Sequence, residues 1–112
     1  MSDDGHFWVN AKVNDQDVRF MVDSGASITT VSKDVAQTAG IPVTFRRVMV
    51  STANGDAWVT KSHADRLQVG PIERSDFSID INAADDVNLL GMNFLSSLES
   101  WRVEGRFLVL QS

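Results

Sequence analysis

Phe20-Met21-Val22-Asp23-Ser24-Gly25-Ala26-Ser27 is the stretch on which the reading of this chain turns. Val18 to Val22 has the composition of a strand, and its last three residues are apolar without interruption, the pattern expected of burial on both faces. The run stops at Asp23, so a carboxylate stands at the inner end of a buried strand, where charged groups are seldom found. Gly25 permits a backbone approach that any side chain would block, and the small Ala26 lets something lie close against the turn. Asp-[Ser/Thr]-Gly arises by chance in about one chain in twenty of this length, and an Asp beside Ser and Gly most often simply opens a turn. The setting of the tripeptide, rather than the tripeptide, gives it weight.

Outward from this stretch the chain is punctuated by short strands. Phe7, Val9, Ala11 and Val13 alternate with polar residues as on a half-buried strand, and Asn14-Asp15-Gln16-Asp17 is turn chemistry. Ser32 is placed as a helix N-cap, Val35, Ala36 and Ala39 as the buried stripe of a two-turn helix, and Gly40 as its left-handed terminator. Val48–Val50 and Trp58–Thr60 flank a segment containing Asn54-Gly55, the strongest short-range hairpin signal. Leu67 and Val69, a Gly70-Pro71 turn, and the alternating Phe77, Ile79 and Ile81 predict further strands. Leu89-Leu90-Gly91 leads into a short helix expected over Met92–Leu98, and Trp101–Val103, Glu104-Gly105 and Phe107–Leu110 read as a closing hairpin. The whole predicts one mainly β, barrel-like domain over residues 1–112 with two brief helices.

Composition narrows the function. Hydrophobic residues make up 43% and cysteine is absent, which removes disulfides, Cys-ligated zinc and thiol nucleophiles. Ten basic against 15 acidic residues give a net charge of −5, which disfavours nucleic acid as a partner. No apolar run approaches the ~18 residues of a membrane span, and Met1-Ser2-Asp3-Asp4 does not open a signal peptide, so the chain as given is expected to be soluble. His6 and His63 have no metal-ligand spacing, Asp85-Asp86 lacks a calcium-loop pattern, and neither Gly-x-Ser-x-Gly nor a phosphate-binding glycine loop occurs. No metal or other cofactor is expected.

Residues 20–27 resemble the active-site strand and loop of the retropepsin-like aspartic proteases. Leu89-Leu90-Gly91-Met92-Asn93 is similar to that family's second signature, and Thr52-Ala53-Asn54-Gly55 falls where it carries its flap. The phrases Thr-Ala-Asn-Gly and Leu-Leu-Gly-Met-x-Phe-Leu bring the chain closest to the bacterial branch, and the resemblance covers nearly its full length. It implies a closed β-barrel of the acid-protease half type, an aspartic endopeptidase, and Asp23, Ser24 and Gly25 as the catalytic loop. Ser24 would take the place of the commoner Thr and bond across to a partner loop. Ala26, Thr52, Ala53, Asn54 and Gly55 would meet the substrate, with Leu90, Gly91 and Asn93 supporting the site from behind.

The chemistry requires two carboxyl groups sharing a proton, and aspartic proteases are the standard instance of such a pair. One Asp-[Ser/Thr]-Gly supplies half a site, so a homodimer joining Asp23 to its twin is the simplest completion, with a polypeptide as substrate and hydrophobic residues flanking the cut bond. Trp58 is expected to pack on its neighbouring strand rather than to roof a pocket. The alternatives are a silent peptide-binding or dimerisation module on the same fold and a small-ligand barrel, which would need neither the Asn-Gly hairpin nor the Leu-Leu-Gly element. Bacterial relatives often carry a membrane anchor ahead of this domain, which leaves the compartment open and a periplasmic placement among the possibilities. The first turn, Asn14-Asp15-Gln16, departs from the family's frequent Asn-Gly and suggests a different turn type.

Overall fold

The computed structural model describes residues 5–43, 46–52, 55–83 and 86–112. Expectations that fall on Met1–Asp4, on Ala53 and Asn54 of the hairpin tip and on Asp85 lie outside the described residues. β1 (Trp8–Val13) and β2 (Gln16–Val22) form an antiparallel hairpin in register from Trp8↔Met21 to Val13↔Gln16. Its two central residues, Asn14 and Asp15, have φ of 48° and 70°, the positive values that a type I′ turn demands, so the turn is of the kind Asn-Gly would favour after all. Asn14 repays that conformation by tying distant parts of the chain together. Its Nδ2 donates to Ala39 O and its Oδ1 accepts from Arg66 N, at 3.0 Å each.

β3 (Thr30–Ser32) is a three-residue strand that hydropathy alone does not announce, and α1 (Lys33–Ala39) follows directly. Ser32 caps this helix, accepting from Val35 N, and Gly40 ends it at φ 68°, ψ 31° as expected. β4 (Arg47–Thr52) and β5 (Gly55–Val69) make the predicted hairpin with longer arms than the apolar pattern marks. The ladder reaches Thr52↔Gly55, and Leu67 and Val69 are the far end of one 15-residue strand rather than a separate element. β6 (Ile72–Asn82) returns antiparallel along it, and β7 (Leu89–Leu90) precedes α2 (Met92–Leu95). α2 stops before the expected Leu98. Ser96 and Ser97 turn their hydroxyls back onto Met92 O and Phe94 O, and the backbone tightens into i→i+3 bonds through Leu98. β8 (Ser100–Glu104) and β9 (Phe107–Gln111) form the closing hairpin as a two-stranded sheet of their own.

The main sheet runs β1-β2-β7-β3-β6-β5-β4. Lys12↔Gln68 and Val13↔Leu67 pair β1 with β5, so six strands close into a ring and β4 hangs outside it on β5. Inside stand Phe20, Leu67, Ile79, Leu90, Phe94 and Leu95, each wholly shielded from water, with Phe94 edge-on to Phe77 at 6.4 Å and 71°. Removing one such side chain from water is worth roughly 1.5–3 kcal/mol. Because β2 leads into this core through Phe20 and pairs with β7 through Val22↔Leu90, the residue after Val22 is delivered to a fixed place at the rim. The strand is less buried than its composition implies. Phe20 is in the core, whereas Met21 and Val22 are half-buried.

Candidate active site

The peptide ladder carries β2 one residue further than its last paired position. Met21 N donates to Asn88 O (2.9 Å) and Asp23 N to Leu90 O (3.0 Å), so Asp23 leaves the sheet with its backbone already fixed. A tight turn follows, closed by Ala26 N to Asp23 O at 3.1 Å, and within it Gly25 N donates to Asp23 Oδ1 at 2.9 Å. The carboxylate is thereby oriented by its own loop. A Cβ on Gly25 would sit 3.1 Å from that same Oδ1, close enough to oblige the carboxylate to shift by a few tenths of an ångström. Asp23 and Ala26 are half-buried, and Ser24 and Gly25 are exposed.

Behind the loop, the Leu89–Asn93 element acts as a clamp. Met92 N donates to Ala26 O (2.7 Å) and Asn93 N to Ser27 O (3.0 Å). Gly91 lies so near that a Cβ there would stand 2.7 Å from Ala26 O and 2.8 Å from the Ile28 carbonyl carbon, contacts that backbone atoms cannot yield to. Asn93 Oδ1 accepts from both Thr29 N and Thr29 Oγ1, each at 2.8 Å, while its Nδ2 donates to Ser78 O at 2.8 Å. Leu90 is wholly buried beneath.

Thr29 was not among the residues singled out from sequence, yet it is central. Its side chain is fully buried, donates to Asn93 Oδ1 and accepts from Gly91 N at 3.1 Å. The β-branched run Thr29-Thr30-Val31 is the sequence signal that points to it, since it marks a strand with a hydroxyl directed inward. Asn88 is a second such residue, with Oδ1 accepting from Ser32 N at 2.9 Å.

The β4–β5 hairpin presents two different faces. Val48, Val50, Ala57 and Val59 point one way, Val59 being buried, while Met49 and Trp58 stand directly opposite each other on the other side, 48% and 54% exposed. Arg47 lies over the Trp58 ring at 5.3 Å. Trp58 therefore packs on its neighbouring strand, as expected, and roofs nothing on the Val59 side. Thr52 and Gly55 close the described part of the ladder, and Gly55 has φ 106°. His6 and His63 are exposed, and among the described residues no cluster of acidic or histidine side chains is placed to hold a metal. No helix among them is long and apolar enough to cross a membrane.

Comparison with known proteins gives this geometry a context. Residues 9–97 match the family described as "gag-polyprotein putative aspartyl protease". The crystal structure of a retropepsin-like aspartic protease from Rickettsia conorii superposes with a TM-score of 0.78 at 31% identity, covering 97% of this chain and 83% of that one. Uncharacterized proteins of a Sinorhizobium species and of Rickettsia prowazekii are 35% and 32% identical over 85% and 97% of this chain. The chain spans 42% and 48% of those two proteins, less than half of each. With the Asp23 turn, the Leu-Leu-Gly clamp and the ring of strands all in place, the chain belongs to the retropepsin-like family of aspartic proteases.

Proposed function

We propose that this chain is an aspartic endopeptidase whose active form is a homodimer, with Asp23 of each copy supplying one carboxyl group of a shared dyad. The observation that carries the reading is the Asp23 turn, a carboxylate oriented by Gly25 N and left accessible at the rim of the ring. The sequence contains one such tripeptide, so a second copy is the simplest source of the second carboxyl group. Ser24 supports this. Its hydroxyl is exposed and makes no hydrogen bond within its own chain among the described residues, as suits a group reserved for the facing loop.

In the dyad, one carboxylate takes a proton from a water held between the pair as that water attacks the peptide carbonyl carbon. The other carboxyl group donates its proton to the carbonyl oxygen. Collapse of the tetrahedral intermediate breaks the C–N bond as the amine nitrogen is protonated. One proton shared between two like charges favours activity on the acid side of neutrality. The β4–β5 hairpin would cover an extended peptide, with Thr52 to Gly55 at its tip and Ala26 beneath, excluding water from the reacting bond. Apolar side chains beside the cut bond fit the half-buried Met21 and Leu89, paired residues on the strands that lead to the Asp23 turn.

The test is digestion of an unfolded protein near pH 5 by the wild type and by Asp23→Asn, in which Gly25 N keeps its acceptor. A fall of at least about a thousandfold in kcat/KM with unchanged melting is expected, since members of a catalytic pair act as a unit. Comparable cleavage by the variant would reject the mechanism. Specific activity should also fall on dilution through the dissociation range of the dimer, followed by sedimentation alongside turnover.

A further inference from the structure

Strand register places five residues in one row across the sheet. Met21 pairs with Leu89, Leu89 with Thr30, Thr30 with Asp80 and Asp80 with Lys61. Paired residues share a face, and Val22, Leu90, Val31 and Ile81 occupy the opposite, core-facing side. Met21 and Leu89 are half-buried without packing on that core. Asp23 stands two residues beyond Met21 with its N–H still bonded in the ladder to Leu90 O, and so belongs to the same side as the row. Val59, two residues from Lys61 and buried outside the core cluster, continues it onto the inward face of the β4–β5 hairpin. The row is thus a wall leading from Asp23 toward the hairpin, apolar at Met21 and Leu89 and polar at its outer end.

That outer end holds a feature the catalytic chemistry does not use. Asp80 is 3% exposed on the wall side of the sheet, with its Oδ1 2.8 Å from Lys61 Nζ. The contact is close but off the alignment of a hydrogen bond, and among the described residues Oδ1 has no hydrogen-bond partner. The Lys61 side chain is 30% exposed and that of Asp80 only 5%, so a molecule lying along the wall meets the ammonium, with the carboxylate anchoring it from below. A buried ion pair adds little to stability over a well-packed apolar pair, which makes recognition a reason to keep one here.

The Thr30 hydroxyl is spent on Ile28 O at 3.0 Å, and we infer that the Lys61–Asp80 pair forms an outer specificity subsite that selects a substrate side chain carrying an oxygen acceptor, above all Glu or Asp. This rests on the peptidase reading and sharpens it: apolar at the cut bond, acidic further out. Strands lie about 4.8 Å apart, which puts Asp80 within about 14 Å of β2 along the sheet, so the selected side chain sits about two to four residues from the cut bond.

Peptide pairs identical except for Glu or Leu at each of those positions test this with wild type, Lys61→Met, and Lys61→Gln combined with Asp80→Asn. The neutral double variant guards against unfolding through a stranded carboxylate. In wild type one position should favour Glu by about tenfold in kcat/KM, the order of one hydrogen bond to a charged group, and both variants should lose most of that ratio. Binding of the same peptides to Asp23→Asn protein is measured in parallel, so that selection is read independently of turnover. A Glu/Leu ratio near one throughout, or one unchanged in both variants, overturns the inference. A lysine-dependent ratio in binding without any cleavage upholds it and counts against the peptidase reading alone.

Discussion

The Asp23 loop and the β4–β5 hairpin are built in opposite ways. The loop is gripped from β7 at Asp23 N and from α2 at Ala26 O, at Ser27 O and, through the Asn93 side chain, at Thr29, four attachments over seven residues. Among the described residues the outer strand of the hairpin, β4, pairs only with β5, and the hairpin's outer face leaves Met49 and Trp58 exposed. In the proposed peptidase, the group that would hold a reacting water within a fraction of an ångström is thus on the segment deprived of freedom, and the proposed cover is on the one left least encumbered. A carboxylate on the hairpin, or a cover built from the loop, would reverse both advantages.

That contrast can be broken most severely at Gly91. Gly91→Ala drives a methyl group into Ala26 O and the Ile28 carbonyl, and a loss of about 3 kcal/mol in denaturant unfolding is expected, together with loss of activity as the loop shifts. Wild-type stability in this variant would show that the clamp is looser than its distances. A smaller effect follows from Thr29→Val, which keeps the shape but takes the acceptor from Gly91 N and a donor from Asn93 Oδ1. About 2 kcal/mol should be lost, with Thr29→Ser recovering most of it in the same unfolding titration. Least should happen at Trp58→Ala, which removes a cross-strand and cation–π contact worth about 1 kcal/mol from the outer face. KM should stay within about twofold, as for the surroundings of a single weak surface contact. A large rise in KM would place Trp58 on the substrate side and undo the assignment of faces.

What the sequence disclosed, and what it concealed, divides along the range of the interactions. Ser32 as cap, Gly40 as terminator and the hairpin through Gly55 are settled by neighbouring residues, and each stands where the local pattern puts it. Asp23 was legible because an apolar strand halting on Asp-Ser-Gly is itself a local event, and Gly91 and Asn93 because a second signature repeats their setting. β3 was not legible: three residues carry no period, and the strand exists only because Asp80–Asn82, some fifty positions later, lie alongside. Thr29 escaped for a related reason, since a buried hydroxyl looks like a surface one until its partners at Gly91 and Asn93 arrive from the far end of the chain. The Asn14-Asp15 turn misled in the other direction. Its departure from Asn-Gly suggested another geometry, but the Asn14 side chain is held by Ala39 and Arg66, and those contacts sustain positive φ without glycine.

The two-residue strand β7 touches both ends of the Asp23 loop, Leu90 through Asp23 N and Leu89 opposite Thr30. Entry and exit of the loop are therefore stapled to a single rung, and that rung is anchored by Leu90 in the centre of the core. Opening the loop means extracting the rung, which is tantamount to unfolding the domain. The amides that bond across this seam, those of Asp23, Gly91, Met92 and Asn93, should then exchange with solvent only by global unfolding, and the shape of the Asp23 turn is inherited from the folding of the chain itself.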